Sequence, residues 1–150
     1  MRGFIRAVQP DAVIHLGDFY DDGLAMAEEY SHIRFHQLPG NCDRYRAPRE
    51  LPPVMYYDVC GVRLFMTHGH LHYVKSDTSR LIADARKAQV QAVLYGHTHV
   101  AQCYRESDGL WVLNPGTCGR GGGTAGIIET EDKAIVACYL ISEADLMESR

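Results

Sequence analysis

Residues 92–99 read Ala-Val-Leu-Tyr-Gly-His-Thr-His. Four apolar side chains in a row, with no polar alternation, mark a strand buried on both faces, the form strands take inside a parallel sheet. The run stops at a glycine, and two histidines follow one residue apart. Histidine is the commonest metal ligand among side chains, and two of them on a strand-to-loop corner can aim at one point. The C-terminal edge of a parallel sheet is also where α/β proteins bind their ligands. The strand-plus-histidine reading therefore asks whether other strands bring polar groups to the same edge.

They do. Residues 12–16 form a second near-continuous apolar run, ending in Gly17-Asp18. Residues 33–38 read as a strand that turns at Pro39-Gly40 into Asn41-Cys42-Asp43. Residues 54–60 and 62–67 make a hairpin around Gly61, and its second strand runs into His68-Gly69-His70. Helices fill the intervals. Residues 1–8 carry Phe4, Ile5 and Val8 on one face, with Pro10 closing the helix. Residues 24–32 form a second helix, and a third starts at Ser76 or Asp77 and runs to Gln89, with Leu81, Ile82 and Ala85 as its inner face.

Beyond the two histidines the pattern is antiparallel β, over residues 101–106, 110–114, 125–129 and 134–141, with a turn at Asp108-Gly109. Residues 115–124 are too glycine-rich for regular structure, and residues 142–150 read as a short terminal helix. Alternating β and α followed by antiparallel β predicts an α/β sandwich of two sheets with helices outside.

Composition narrows the class. The 150 residues predict one domain spanning 1–150, large enough for a real core. A net charge of −4 argues against an extended nucleic-acid or anionic-membrane surface. No stretch approaches the ~18 apolar residues of a membrane-spanning helix. The opening residues have neither the apolar core nor the cleavage site of a signal peptide. The five cysteines are odd in number and none forms a Cys-x-x-Cys pair, which reads as a reduced, cytoplasmic protein with structural thiols.

Asp18, Asn41, His68, His97 and His99 thus follow successive strand ends. A carboxylate, an amide oxygen and imidazoles suit a borderline divalent cation such as Mn, Fe, Ni or Zn. Of the other histidines, His15 reads as a core residue within its strand, and His32, His36 and His72 as surface or packing residues. His72 alternates with His68 and His70 and could also support them from behind.

The set GD at 17–18, GNCD at 40–43, THGH at 67–70, GHTH at 96–99 and NPGT at 114–117 resembles the calcineurin-like metallophosphoesterases, and within them a small bacterial and archaeal phosphodiesterase branch. The resemblance implies an α/β/β/α sandwich of two mixed sheets. It implies that Asp18 bridges two metals, that Asn41, His68 and His97 complete the shell of one, and that His99 binds the other. The activity implied is metal-dependent hydrolysis of a phosphodiester or phosphomonoester by a metal-activated hydroxide. Asp18, Asn41 and His70 then carry the chemistry, His70 by orienting substrate or acting as an acid. Arg44 and Arg120 are candidates to neutralise phosphate oxygens, against the plainer reading of a solvated basic loop for Arg44 and a flexible connector around Arg120. Asn114 stands open between substrate contact and a structural bond to the GHTH loop. Cys42 occupies the place where many relatives have a proton-donating histidine, which favours substrates with good leaving groups.

One part of the family pattern has no counterpart here: the first strand, ending in Asp-x-His, which supplies the second metal's remaining ligands. The expectation is a sandwich with that first strand absent, one or two metals where a complete family member has two, and activity that is impaired. Alternatively, a homodimer covers the gap. The substrate expected is a small phosphodiester or nucleotide. The retromer-subunit relatives of the family act as scaffolds, so a non-catalytic interaction module on the same fold is the alternative function.

Overall fold

Helix α1 (Arg2–Val8) buries Phe4 and Ile5, and ends where Gln9 turns left-handed (φ 50°) and returns its N–H to the carbonyl of Ile5 at 2.8 Å. These coordinates are a computed structural model describing residues 1–119 and 123–148. Strand β1 (Ala12–His15) lies parallel to β2 (Arg34–Gln37), joined by the crossover helix α2 (Tyr20–Glu29). The helix starts four residues before the apolar spacing predicts. Its first N–H groups have no partner within the helix, and the Asp43 carboxylate accepts one of them from Tyr20 at 3.0 Å. Asp21 and Asp22 in the first turn add favourable charge at that end. The cap comes from a distant loop, so local spacing does not reveal it.

Strands β3 (Val54–Val59), β4 (Val62–Thr67), β5 (Ala92–Tyr95), β6 (Gln102–Arg105) and β7 (Trp111–Asn114) form one mixed sheet, ordered β3-β4-β5-β7-β6. The three central strands are parallel to one another and the two edges antiparallel to their neighbours. Alternate residues divide the sheet's faces. Phe65, Val93, Tyr95 and Val112 pack with Leu81, Ile82 and Ala85 of helix α3 (Ser79–Lys87). Leu64, Met66, Ala92, Leu94 and Leu113 meet Ile14, Leu16, Ile128, Cys138 and Leu140 from the opposite layer. Helix α3 takes Thr78 as its N-cap and ends at Lys87, a shorter span than the expected start at Ser76 or Asp77 and run to Gln89, although Asp77 Oδ1 still accepts the Ser79 N–H at 2.8 Å.

That opposite layer consists of two separate two-stranded sheets, β1–β2 and the antiparallel hairpin β8 (Thr124–Glu131) with β9 (Ala134–Ser142). A two-stranded sheet is marginal in water by itself, so burial against the five-stranded sheet is what holds each of them. At Gly126 of β8 the approach is close enough that a Cβ would stand 2.8 Å from Leu113, so a larger residue there would push the hairpin off the core. Helix α2 covers the outer face of β1–β2, its Tyr20 carbonyl accepting from Gln37 Nε2 at 2.8 Å. The terminal helix α4 (Glu143–Glu148) follows β9, and Leu146 lies against Gly3 of α1. The layers run helix, sheet, sheet, helix, the mixed α/β sandwich that the alternation of β and α followed by antiparallel β predicts. Among the described residues, no helix is long and apolar enough to cross a membrane.

Candidate metal centre

Asp18, Asn41, His68 and His97 meet at the C-terminal edge of the parallel strands. The loop after β1 is the most constrained. Gly17, Asp18 and Phe19 are left-handed in succession, with φ of 95°, 64° and 55°. Two non-glycine residues together in that region are strained and persist only where neighbours hold them. Asp43 is the holder. Its buried carboxylate (1% exposed) accepts the N–H of Asp18 at 2.8 Å, of Gly40 at 2.8 Å and of Tyr20 at 3.0 Å. A Cβ on Gly40 would fall 2.1 Å from Asp18 Oδ1, and one on Gly17 would fall 2.7 Å from the Gly40 nitrogen. Both glycines are therefore needed for the two loops to touch. Asp18 Oδ1 then accepts the Cys42 N–H at 2.9 Å, which aims the carboxylate inward.

His68 is the centre of the cluster and is 2% exposed. Its Nδ1 lies 2.7 Å from the carbonyl of Leu16, an acceptor only, so Nδ1 carries a hydrogen and donates it. In the neutral ring the lone pair is then on Nε2, which faces Asn41 Oδ1 at 3.0 Å and Asp18 Oδ2 at 3.5 Å. Three electron-rich atoms directed at one another repel unless something positive lies between them. Two ligands ~2.1 Å from a shared ion are about 3.0–3.4 Å apart in octahedral or tetrahedral geometry. Donation from the far ring nitrogen to a backbone carbonyl is also how metal-bound histidines are usually oriented. The donor set therefore fits a divalent cation.

The His97 ring is 5.0 Å from that of His68, and the His70 ring lies 5.3 Å from His68 and 6.1 Å from His97. His97 is left-handed (φ 68°) and completes the approach from the β5 loop. His99, by contrast, is exposed, and no contact links it to this cluster among the described residues. Nor do those residues contain a group of three or more His, Cys, Asp or Glu side chains placed to hold an ion. The convergent trio is Asp18, His68 and an amide, Asn41.

Electrostatics follow from burial and neighbours. Burial lowers the pKa of His97, the Lys75 ammonium and the adjoining His68 and His70 rings add to that, and Asp18 opposes it. Burial lowers that of His70 too, so its imidazole is neutral at pH 7, and its Nδ1 is buried without a hydrogen-bond partner. The Asp18 carboxylate and burial raise the Cys42 thiol, which stays protonated.

The substrate candidates separate. Asn114 is fully buried. Its Nδ2 donates to the Gly96 carbonyl at 3.1 Å and to Thr98 Oγ1 at 2.9 Å, and its Oδ1 accepts the Gly116 N–H at 3.0 Å. It braces the GHTH loop, the structural side of the two readings. Arg44 lies over the ring of Tyr45, 5.6 Å from its centroid, and Arg120 lies outside the described residues. His72 is buried beside Phe65 and 3.6 Å from Asp84, a packing residue of the α3 side. His15 is half-buried with Nδ1 unpartnered, and burial lowers its pKa.

Two residues of this centre had no role in the sequence reading. Asp43 was quoted only as part of a motif, although an acid three residues past a loop glycine is a recognisable cap pattern. Lys75, on the loop before α3, acts on both Cys42 and His97, and nothing in its sequence neighbourhood signals that.

The chain belongs to the calcineurin-like phosphoesterase superfamily, whose domain model matches residues 3–133. Comparison with curated proteins gives no match. Among solved structures it is similar to a predicted phosphoesterase of Streptococcus pneumoniae, with 23% identity and a TM-score of 0.71 over 95% of this chain and 88% of that one. It is similar to an archaeal phosphodiesterase, with 26% identity and a TM-score of 0.65 over 93% and 87% of the two chains. It also resembles zinc-complexed Vps29 of Entamoeba histolytica, with 15% identity and a TM-score of 0.68 over 88% and 81%.

Proposed function

We propose that this protein is a metal-dependent phosphoesterase acting on phosphodiesters, with Asp18, Asn41, His68 and His97 holding the cation. The observation that carries this reading is the unshielded meeting of His68 Nε2, Asn41 Oδ1 and Asp18 Oδ2. The similarity to an archaeal phosphodiesterase supports the reaction class. A divalent cation bound there would polarise a phosphoryl oxygen and make a coordinated water more acidic. The protein's own part is positional. The Leu16 carbonyl fixes the His68 ring, the Cys42 N–H fixes Asp18, and Asp43 fixes the backbone beneath both. His70, neutral and with an unpaired Nδ1, can accept a proton or a hydrogen bond beside the bound phosphate. Lys75 and Arg44 are the cations available to phosphate oxygens. A protonated Cys42 gives the leaving group little help, which favours good leaving groups.

The test pairs binding with turnover. Calorimetric titration with Mn should show binding to the native protein and at least tenfold weaker binding to His68→Ala, since removing one ligand from a four-ligand set costs more than 1.4 kcal/mol. The native protein with Mn should hydrolyse bis(p-nitrophenyl) phosphate. Absence of both across Mn, Ni, Fe and Zn would refute the reading. A non-catalytic interaction module on the same fold is the second reading, favoured by the exposure of His99. Metal binding without turnover of any phosphoester would support it.

A further inference from the structure

Two of the five cysteines meet across the sandwich. Cys103 is on β6, at the edge of the five-stranded sheet, and Cys138 is on β9 of the separate hairpin, 35 residues further along the chain. Their sulfur atoms are 3.4 Å apart, and Cys103 Sγ also lies 3.3 Å from the Cys138 carbonyl oxygen. A side chain that reaches its partner's backbone brings the two strands closer than the ~10 Å of ordinary stacked sheets. Among the described residues no strand ladder joins β6 to β9.

The local packing makes this approach. Leu113 is the register partner of Cys103 on β7, and Ile128 that of Cys138 on β8. Two residues before Ile128 stands Gly126, where a Cβ would fall 2.8 Å from Leu113. The glycine therefore lets the hairpin settle onto the sheet beside the two thiols. Both cysteines are half-buried among the apolar residues between the sheets. A buried thiol often serves only as a small apolar side chain. That role accounts for the burial of each, but it does not require two of them to touch between unpaired strands. A disulfide holds its sulfurs about 2.05 Å apart, so closure asks for about 1.4 Å of approach, within the reach of rotation about the two Cα–Cβ bonds.

We propose that Cys103 and Cys138 are a modification site, at which a peroxide closes an intramolecular disulfide that fastens the β8–β9 hairpin to the five-stranded sheet. The peroxide transfers one oxygen to one sulfur, giving a sulfenic acid and a water. The other thiol then displaces that oxygen as a second water while the S–S bond forms. The two thiols lose two electrons and two protons, and the peroxide takes up both. Burial and the contact with Cys103 push the Cys138 thiol well above its ordinary range. The thiol therefore stays protonated, which slows the reaction at neutral pH without preventing it. No step involves the Asp18–Asn41–His68 corner, so the site stands or falls apart from the hydrolase reading.

The test treats the full chain with hydrogen peroxide. Trypsin places Cys103 on peptide 88–105 and Cys138 on peptide 134–150, and the other three cysteines on other peptides. Mass spectrometry of the monomer band from a non-reducing gel should find these two peptides joined. The thermal midpoint of the treated protein should lie roughly 10 °C above that of the same sample after dithiothreitol, because the bond closes a long loop in the unfolded chain. Cys103→Ala and Cys138→Ala should each lose both the joined peptides and the rise. Should either variant fail to fold, the joined peptides and the dithiothreitol-sensitive rise in the native chain decide the matter. No joined peptides at a dose that fully oxidises the exposed Cys60 would overturn the site. So would joined peptides found only in dimer bands, a midpoint that dithiothreitol does not lower, or a rise that persists in a folded variant.

Discussion

Asp43 is the residue on which the centre's geometry depends most, although it holds no cation itself. One buried carboxylate accepts three backbone N–H groups drawn from two loops and a helix start. Asp43→Ala leaves all three donors without an acceptor in a place water reaches poorly. Hydrogen bonds to a charged group contribute about 1.5–3 kcal/mol, and lost ones are not fully additive. The expected loss is roughly 3 kcal/mol of stability by urea denaturation, with Mn binding weakened alongside it. Unchanged stability would show that the loops are held by something else. The converging donor side chains were legible in the sequence, because Asp18, Asn41, His68 and His97 are donor types sitting directly after apolar runs. Asp43 and Lys75 were not, because their effects cross between loops whose paths only the fold determines.

The elements show the same division. The strands of the five-stranded sheet could be read to within a residue or two, since apolar runs and turn residues are local signals. Helix α2 could not, because the group that caps it is on another loop. The sequence left Asn114 open between substrate contact and a bond to the GHTH loop; its Nδ2 donates to Gly96 and Thr98 of that loop while its Oδ1 accepts from Gly116. Helix α3 rests on a strongly one-sided pattern, and its Leu81 has no exposed surface. Leu81→Ala should cost about 3 kcal/mol, from lost burial plus the cavity left against Phe65 and Val93. Chemical denaturation measures this directly. Because α3 packs on the face of the sheet away from the Asp18 and Asn41 loops, the Mn affinity of the folded variant should change little, whereas a large change would show coupling through the sheet.

For the molecule as a whole, the buried histidines set the acid limit. Burial lowers the pKa of His36 and of His72 from the ordinary 6.5. A histidine whose folded value is depressed takes up its proton more readily in the unfolded chain. Its contribution is therefore complete above about pH 6.5 and is lost as pH falls from there through the lower folded value. The carboxylates with lowered values, Glu29, Asp77, Asp108 and Asp145, act only at still lower pH. Denaturation midpoints should accordingly fall between pH 7.5 and 5.5. His36→Phe should reduce that fall while preserving the stacking on Tyr57, whose ring lies 3.9 Å from that of His36. Equal midpoints at both pH values would refute the assignment.

The divided layer has a consequence for the centre it supports. Asp18 and Asn41 are carried by β1–β2, whereas His68 and His97 are carried by the five-stranded sheet, and among the described residues no strand ladder joins the two. The hydrogen bond from His68 Nδ1 to the Leu16 carbonyl crosses that seam, beside the approach of His68 Nε2 to Asn41 Oδ1. Any guest that grips all four side chains must also clamp the slabs together, and prying the slabs apart dismantles the grip. Escape of the guest and loosening of the body are then one event, seen from opposite ends.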